Sequence, residues 1–87
     1  GQNAQRRQQT PRREIPEETI RTESIQIERK TFILTLKENP RGRFLRVTED
    51  VNGRRDNIII PTTGLGDFSN LVASMVKTSD ETEPKLT

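Results

Sequence analysis

The chain has no cysteine, histidine, tryptophan or tyrosine among its 87 residues, and phenylalanine, at three copies, is its only aromatic. Each absence removes a class of chemistry. Without cysteine there is no disulfide framework, no thiolate metal site and no cysteine nucleophile, and without histidine there is no imidazole ligand or acid–base group near neutral pH. Apolar runs are short as well: none approaches the ~18 residues of a membrane-spanning helix, and there is no signal-peptide core, so neither a membrane span nor a secretion signal is expected. What is abundant is charge, at 32% of residues against 28% hydrophobic, which is close to the composition of disordered chains. The formal net charge is only +2. The acids Glu38, Glu49, Asp50, Asp56 and Asp67 show no metal-ligand spacing, and Gly64-Leu65-Gly66 lacks the length and terminal Lys-Ser/Thr of a phosphate-binding loop. No enzyme activity, cofactor, metal or small-molecule substrate is expected.

The apolar residues are unevenly spread, with 20 of the 24 falling between Glu23 and Val76. Gly1–Arg13 holds four Arg and four Gln with Ala4 as its one apolar residue, a composition that cannot offset the entropy of ordering. The expected organisation is a disordered basic arm and linker over residues 1–22, a folded unit over 23–77 and a polar disordered tail over 78–87. Asn52-Gly53 supplies the positive φ values of a type I′ hairpin turn, and Asn39-Pro40-Arg41-Gly42 reads as a second hairpin turn. Together they predict strands at Ser24–Glu28, Thr31–Lys37, Arg43–Asp50 and Asn57–Ile60 in an antiparallel meander. After Pro61 the period changes. Leu65, Phe68, Leu71, Val72, Met75 and Val76 recur every three or four residues, as on one face of an amphipathic helix. The expected fold is α+β, four strands and then one helix. So small a core, with neither disulfides nor metal, points to homodimerisation.

Side chains alternate along a strand, so parity assigns the faces. Phe32, Leu34 and Leu36 form the core side with Leu45 and Val47, which leaves Phe44 on the polar side with Arg46 and near Lys37, Asn39, Arg41 and Arg43. An aromatic among cations on an open sheet can stack unpaired bases while Lys and Arg hold phosphates. The same residue could equally pack against a dimer partner, with the cations a solvated rim. Arg54 and Arg55 extend the positive loops, and Arg6, Arg7, Arg12 and Arg13 of the arm could add salt-sensitive phosphate contacts.

The segment Lys37-Glu-Asn-Pro-Arg-Gly-Arg-Phe-Leu-Arg46 resembles the signature hairpin of PUR repeats, the repeats of the purine-rich-element-binding proteins of the Pur-alpha type. The likeness continues through Lys30-Thr-Phe32, Val47-Thr-Glu49, Ile58-Ile-Ile-Pro61 and the helix opening at Gly64, covering roughly Ser24 to Val76. It implies a ββββα repeat, two of which intertwine into one PUR domain; with a single repeat here, it implies an intertwined homodimer. It further implies binding of single-stranded DNA or RNA that is purine-rich and contains G, with some relatives unwinding duplexes locally, in transcription or RNA regulation. On this resemblance Lys37, Asn39, Arg41 and Phe44 are the contact residues, Arg43 and Arg46 are supporting charges, and Arg55 matches a further Arg less securely. An intracellular setting follows, nucleus or cytoplasm, or cytoplasm in a bacterium. Two alternatives share the architecture: a protein-interaction or dimerisation module of the same fold, and a single-strand-binding transcription coactivator of related sheet-plus-helix form.

Overall fold

The computed structural model describes residues 16–85. Four strands follow in order, β1 (Glu18–Ile27), β2 (Lys30–Asn39), β3 (Gly42–Val51) and β4 (Arg54–Pro61). A 3-10 turn at Thr62–Gly64 leads into a single helix, α1 (Leu65–Glu81). The sheet is antiparallel throughout with strand order β1-β2-β3-β4, a simple meander. This is the expected ββββα arrangement, and both hairpin signals close where the sequence places them. At the β3–β4 turn Asn52 and Gly53 take φ of 55° and 86°, the pair of positive values that Asn-Gly supplies at low cost. Between β2 and β3, Asn39 faces Gly42 across a two-residue loop, and Gly42 has φ 144°, a value that a residue with a Cβ reaches only with strain.

The elements run longer than the hydrophobic pattern alone predicts. β1 begins at Glu18 rather than Ser24, so Glu18–Thr22, expected to belong to the arm and linker, is strand paired with β2. Ladder hydrogen bonds join backbones and do not depend on side-chain polarity. The pairing shifts between Thr19 and Arg21, and this irregularity marks Ile20 as the extra residue. At the other end α1 passes Val76 and runs through Lys77–Glu81, residues expected to lie mostly in the tail. An i,i+4 ion pair, Lys77 to Glu81 at 2.6 Å, supports that last turn. The Arg residues of the arm lie outside the described residues.

Register assigns each face. One face carries Ile25, Ile27, Phe32, Leu34, Leu36, Leu45, Val47, Ile58 and Ile60; the other carries Thr35, Lys37, Phe44, Arg46, Thr48, Asn57 and Ile59. The parity derived from sequence therefore holds. The apolar face is nevertheless uncovered: among the described residues no apolar side chain is buried, and Phe68, Leu71, Val72, Met75 and Val76 of α1 stay 45–61% exposed. Thr62 ties the start of the helix to the sheet by donating to the Arg43 carbonyl at 3.1 Å. The molecule is elongated, 67 × 31 × 17 Å with a radius of gyration of 18.9 Å. A compact chain of this length would have about 12 Å.

Candidate nucleic-acid interface

The site is built on the β2–β3 hairpin, whose tight turn fixes the register of everything beside it. Asn39 holds that turn: its side-chain oxygen accepts the Arg41 backbone N–H at 2.9 Å. One of that oxygen's two lone pairs is thereby used, and the Asn39 amide nitrogen, with two N–H donors, can still face a ligand. Lys37 lies directly across from Phe44, and Phe44 in turn from Pro61; one step along, Thr35, Arg46 and Ile59 form the next row. These rows put an aromatic ring between a cation and an apolar edge on one face. Asn39, Arg41, Gly42, Arg43, Phe44, Ile59 and Pro61 line a shallow cleft of about 200 Å³ beside the ring.

The seven residues singled out from the sequence do not all gather here. Lys37, Asn39, Arg41, Phe44 and Arg46 are brought together at the hairpin end of the polar face. Arg43 alternates onto the apolar face opposite Glu38, and its guanidinium binds that carboxylate at 2.6 Å and 2.7 Å. Arg55 shares the face of Phe44 but pairs in register with Asp50 at the far end, about 20 Å along the strand at ~3.3 Å per residue. There it donates to Asp50 at 2.8 Å. The Asp50 carboxyl is held below the usual carboxylate range, first by the Arg55 hydrogen bond and then by the Gly53 backbone N–H at 3.0 Å. Arg55 thus secures the β3–β4 turn.

Three residues of the site were not singled out from the sequence. Ile59 and Pro61 flank Phe44 as an apolar border, and the signal that could have found Ile59 is the unbroken run Ile58-Ile59-Ile60, which is apolar on both faces of a strand. Glu17 was assigned to a linker, yet its carboxylate is 3.4 Å from the Lys37 ammonium, whose side chain is only 15% exposed. Among the described residues neither Arg41 nor Arg46 has a carboxylate at ion-pair distance, and no group of acids could hold a metal ion. No described helix is long and apolar enough to cross a membrane.

The strand order, the terminal helix and this hairpin agree with the family comparison, in which residues 2–85 match the family described as PurA ssDNA and RNA-binding protein. The chain belongs to the PurA family. Among its relatives, Transcription factor Pur-alpha 1 of Arabidopsis thaliana is 42% identical over 50 residues, 58% of this chain and 17% of that one. The human Transcriptional activator protein Pur-alpha is 31% identical over 68 residues, 70% of this chain and 21% of its own. The human Purine-rich element-binding protein gamma is 26% identical over 77 residues, 74% of this chain and 22% of its own. This PurA-family chain therefore spans about a fifth of the length of the curated relatives it matches.

Proposed function

We propose that this chain binds single-stranded, purine-rich, G-containing DNA or RNA through the polar face of its sheet, as a homodimer, in the control of transcription or of RNA. The observation that carries the reading is the row Lys37–Phe44–Pro61 beside Thr35–Arg46–Ile59: an aromatic ring on the solvent-facing side of a sheet, flanked by cations. A ring so placed contributes nothing to the apolar face of its own sheet. It can stack on a base, while Lys37, Arg41 and Arg46 meet phosphates and the Asn39 amide meets a base edge. The names of the relatives, a transcription factor, a transcriptional activator and a purine-rich element-binding protein, agree with this use.

The uncovered faces support the dimer. One chain presents an apolar sheet face and an apolar helix stripe that it does not pack together, and a second copy offers each its complement. Such an exchange buries both without a new kind of surface.

The test is fluorescence anisotropy with a G-containing purine-rich single strand. Phe44→Ala is expected to lose about 1–3 kcal/mol of binding free energy while leaving the circular dichroism spectrum unchanged. Arg41→Ala is expected to weaken binding and reduce the slope of log K against log salt by about 0.7, the value per phosphate on a single strand. Unchanged affinity in both variants contradicts the reading and favours a protein-interaction module.

A further inference from the structure

The chain ahead of the described residues carries Arg6, Arg7, Arg12 and Arg13, with no acid before Glu14. The point at which this basic arm joins the fold is set by β1. Glu18 pairs with Glu38 and Thr19 with Lys37, so the strand starts at the hairpin end of the sheet, and Pro16 lines a cleft with Asn39 and Pro40 beside the turn. The root of the arm is therefore next to Lys37, Asn39 and Arg41, not at the far end with Arg55.

The irregularity in β1 also decides the side. From Arg21 to Ile27 the odd-numbered residues share the apolar face, with Arg21 opposite Leu36 and Ile25 opposite Phe32. Ile20 is the extra residue, and beyond it the alternation is reversed: Thr19 lies opposite Lys37, on the face of Phe44. Glu17, two residues further, is on that face too, its carboxylate 3.4 Å from the Lys37 ammonium. Unbroken alternation would have turned Thr19 and Glu17 to the apolar face. The bulge thus brings the root of the arm to the polar face, beside the cations of the hairpin.

We propose that Arg6, Arg7, Arg12 and Arg13 hold the phosphates of that part of a bound single strand which runs on past the β2–β3 turn, so that the site is longer than the sheet, an inference that rests on the single-strand-binding reading above. At no more than about 3.6 Å per residue, Arg12 and Arg13 lie within about 15 Å of Pro16, and Arg6 and Arg7 within about 36 Å. A strand stacked on Phe44 and continuing beyond the turn passes through that volume. The contact is to phosphate and is blind to base sequence. Glu14, Glu17 and Glu18 stand between the arm and the hairpin and repel phosphate locally, but Glu17 is engaged by Lys37, and Glu18, opposite Glu38, is on the other face. Two basic segments, hairpin and arm, therefore flank a short acidic one.

The experiment titrates the full chain, by anisotropy, with single strands of about 5 and about 16 nucleotides, near the limits of the site sizes of single-strand-binding folds. Salt is raised from about 0.1 M, where the Debye length is about 10 Å and charges not in contact are largely screened. Replacing all four Arg by Gln touches no residue of the sheet or helix. On the long strand it is expected to reduce the slope of log K against log salt by about 1.4–2.8, two to four phosphate contacts at about 0.7 each, and on the short strand by less than about 0.7. The loss of affinity should be the same for purine-rich and pyrimidine-rich long strands. An equal fall in slope on both lengths assigns the effect to overall charge and overturns the proposal. So does an unchanged slope or tighter binding on the long strand, which would leave the arm a solubilising segment or one paired with Glu17, Glu18 and Glu38. A loss confined to purine-rich strands also overturns it, since the arm would then read bases. In each of these cases single-strand binding by the sheet stands; a wild type that binds neither length overturns the parent reading and this inference with it.

Discussion

Lys37 shows how one side chain can be both placed and restrained. Its register opposite Phe44 puts it in the candidate interface, yet its ammonium is 3.4 Å from the Glu17 carboxylate and its side chain is largely covered. A phosphate reaching Lys37 must displace Glu17. Replacing Glu17 by Gln is therefore expected to tighten single-strand binding at low salt by about two- to fivefold, the scale of an exposed ion pair. The gain should vanish in a Lys37→Gln background, which titration of the double variant checks; an equal gain there would mean that Glu17 acts through overall charge. The position of Phe44 was legible in the sequence because parity depends only on the spacing from Leu45 and Val47. Glu17 was not legible, since nothing in Pro16-Glu17-Glu18 signals that pairing with β2 already begins at Glu18 and so brings Glu17 beside Lys37. Arg43 is placed by the same parity. It lies in the signature beside Phe44, but alternation turns it to the other face and gives it to Glu38.

Among the elements, the two turns set the register and hence the site. Gly42→Ala is expected to cost roughly 1–3 kcal/mol, because φ 144° is strained for a residue with a Cβ, even though a Cβ there would meet no neighbouring atom within 4 Å. The midpoint of urea unfolding reads this cost, and an unchanged midpoint would show that the turn relaxes. The β3–β4 turn carries a pH dependence. The folded-state pKa of Asp50 lies below its unfolded value of 3.8, so the contribution of its bonds to Arg55 and Gly53 is complete above that value and disappears as pH falls through the depressed folded one. Asp50→Asn is expected to diminish the acid-dependent part of unfolding measured between neutral pH and strong acid. Both turns were readable from their residues, as Asn-Gly and Pro-Arg-Gly carry backbone preferences of their own. The extents of β1 and α1 were not. β1 from Glu18 to Thr22 is held by a ladder that leaves no mark in side-chain hydrophobicity, and the last turn of α1 rests on Lys77–Glu81.

At the scale of the whole molecule, a chain of 10.0 kDa that buries no apolar side chain among its described residues does not have the core of a stable monomer. Sedimentation is expected to give a species of about twice that mass, with unfolding midpoints that rise with protein concentration. Val72→Asp, in the exposed stripe of α1, should lower both. The sequence carried this much in its short core and in the stripe from Leu65 to Val76; it could not show that the stripe stays clear of its own sheet, which depends on where the Thr62–Gly64 turn directs the helix. The modest charge of +2 matters less than its placement, because four of the eight cations between Thr22 and Val76 fall within Lys37–Arg46. That placement gives the central claim, that the polar face around Phe44 binds unpaired purines, its most direct test: one anisotropy titration of the wild-type protein against purine-rich, pyrimidine-rich and duplex oligonucleotides of equal length at two salt concentrations. The tightest binding is expected to the purine-rich single strand at both salts, with all affinities falling as salt rises. Equal affinity for the three at each salt, or no binding, would contradict it.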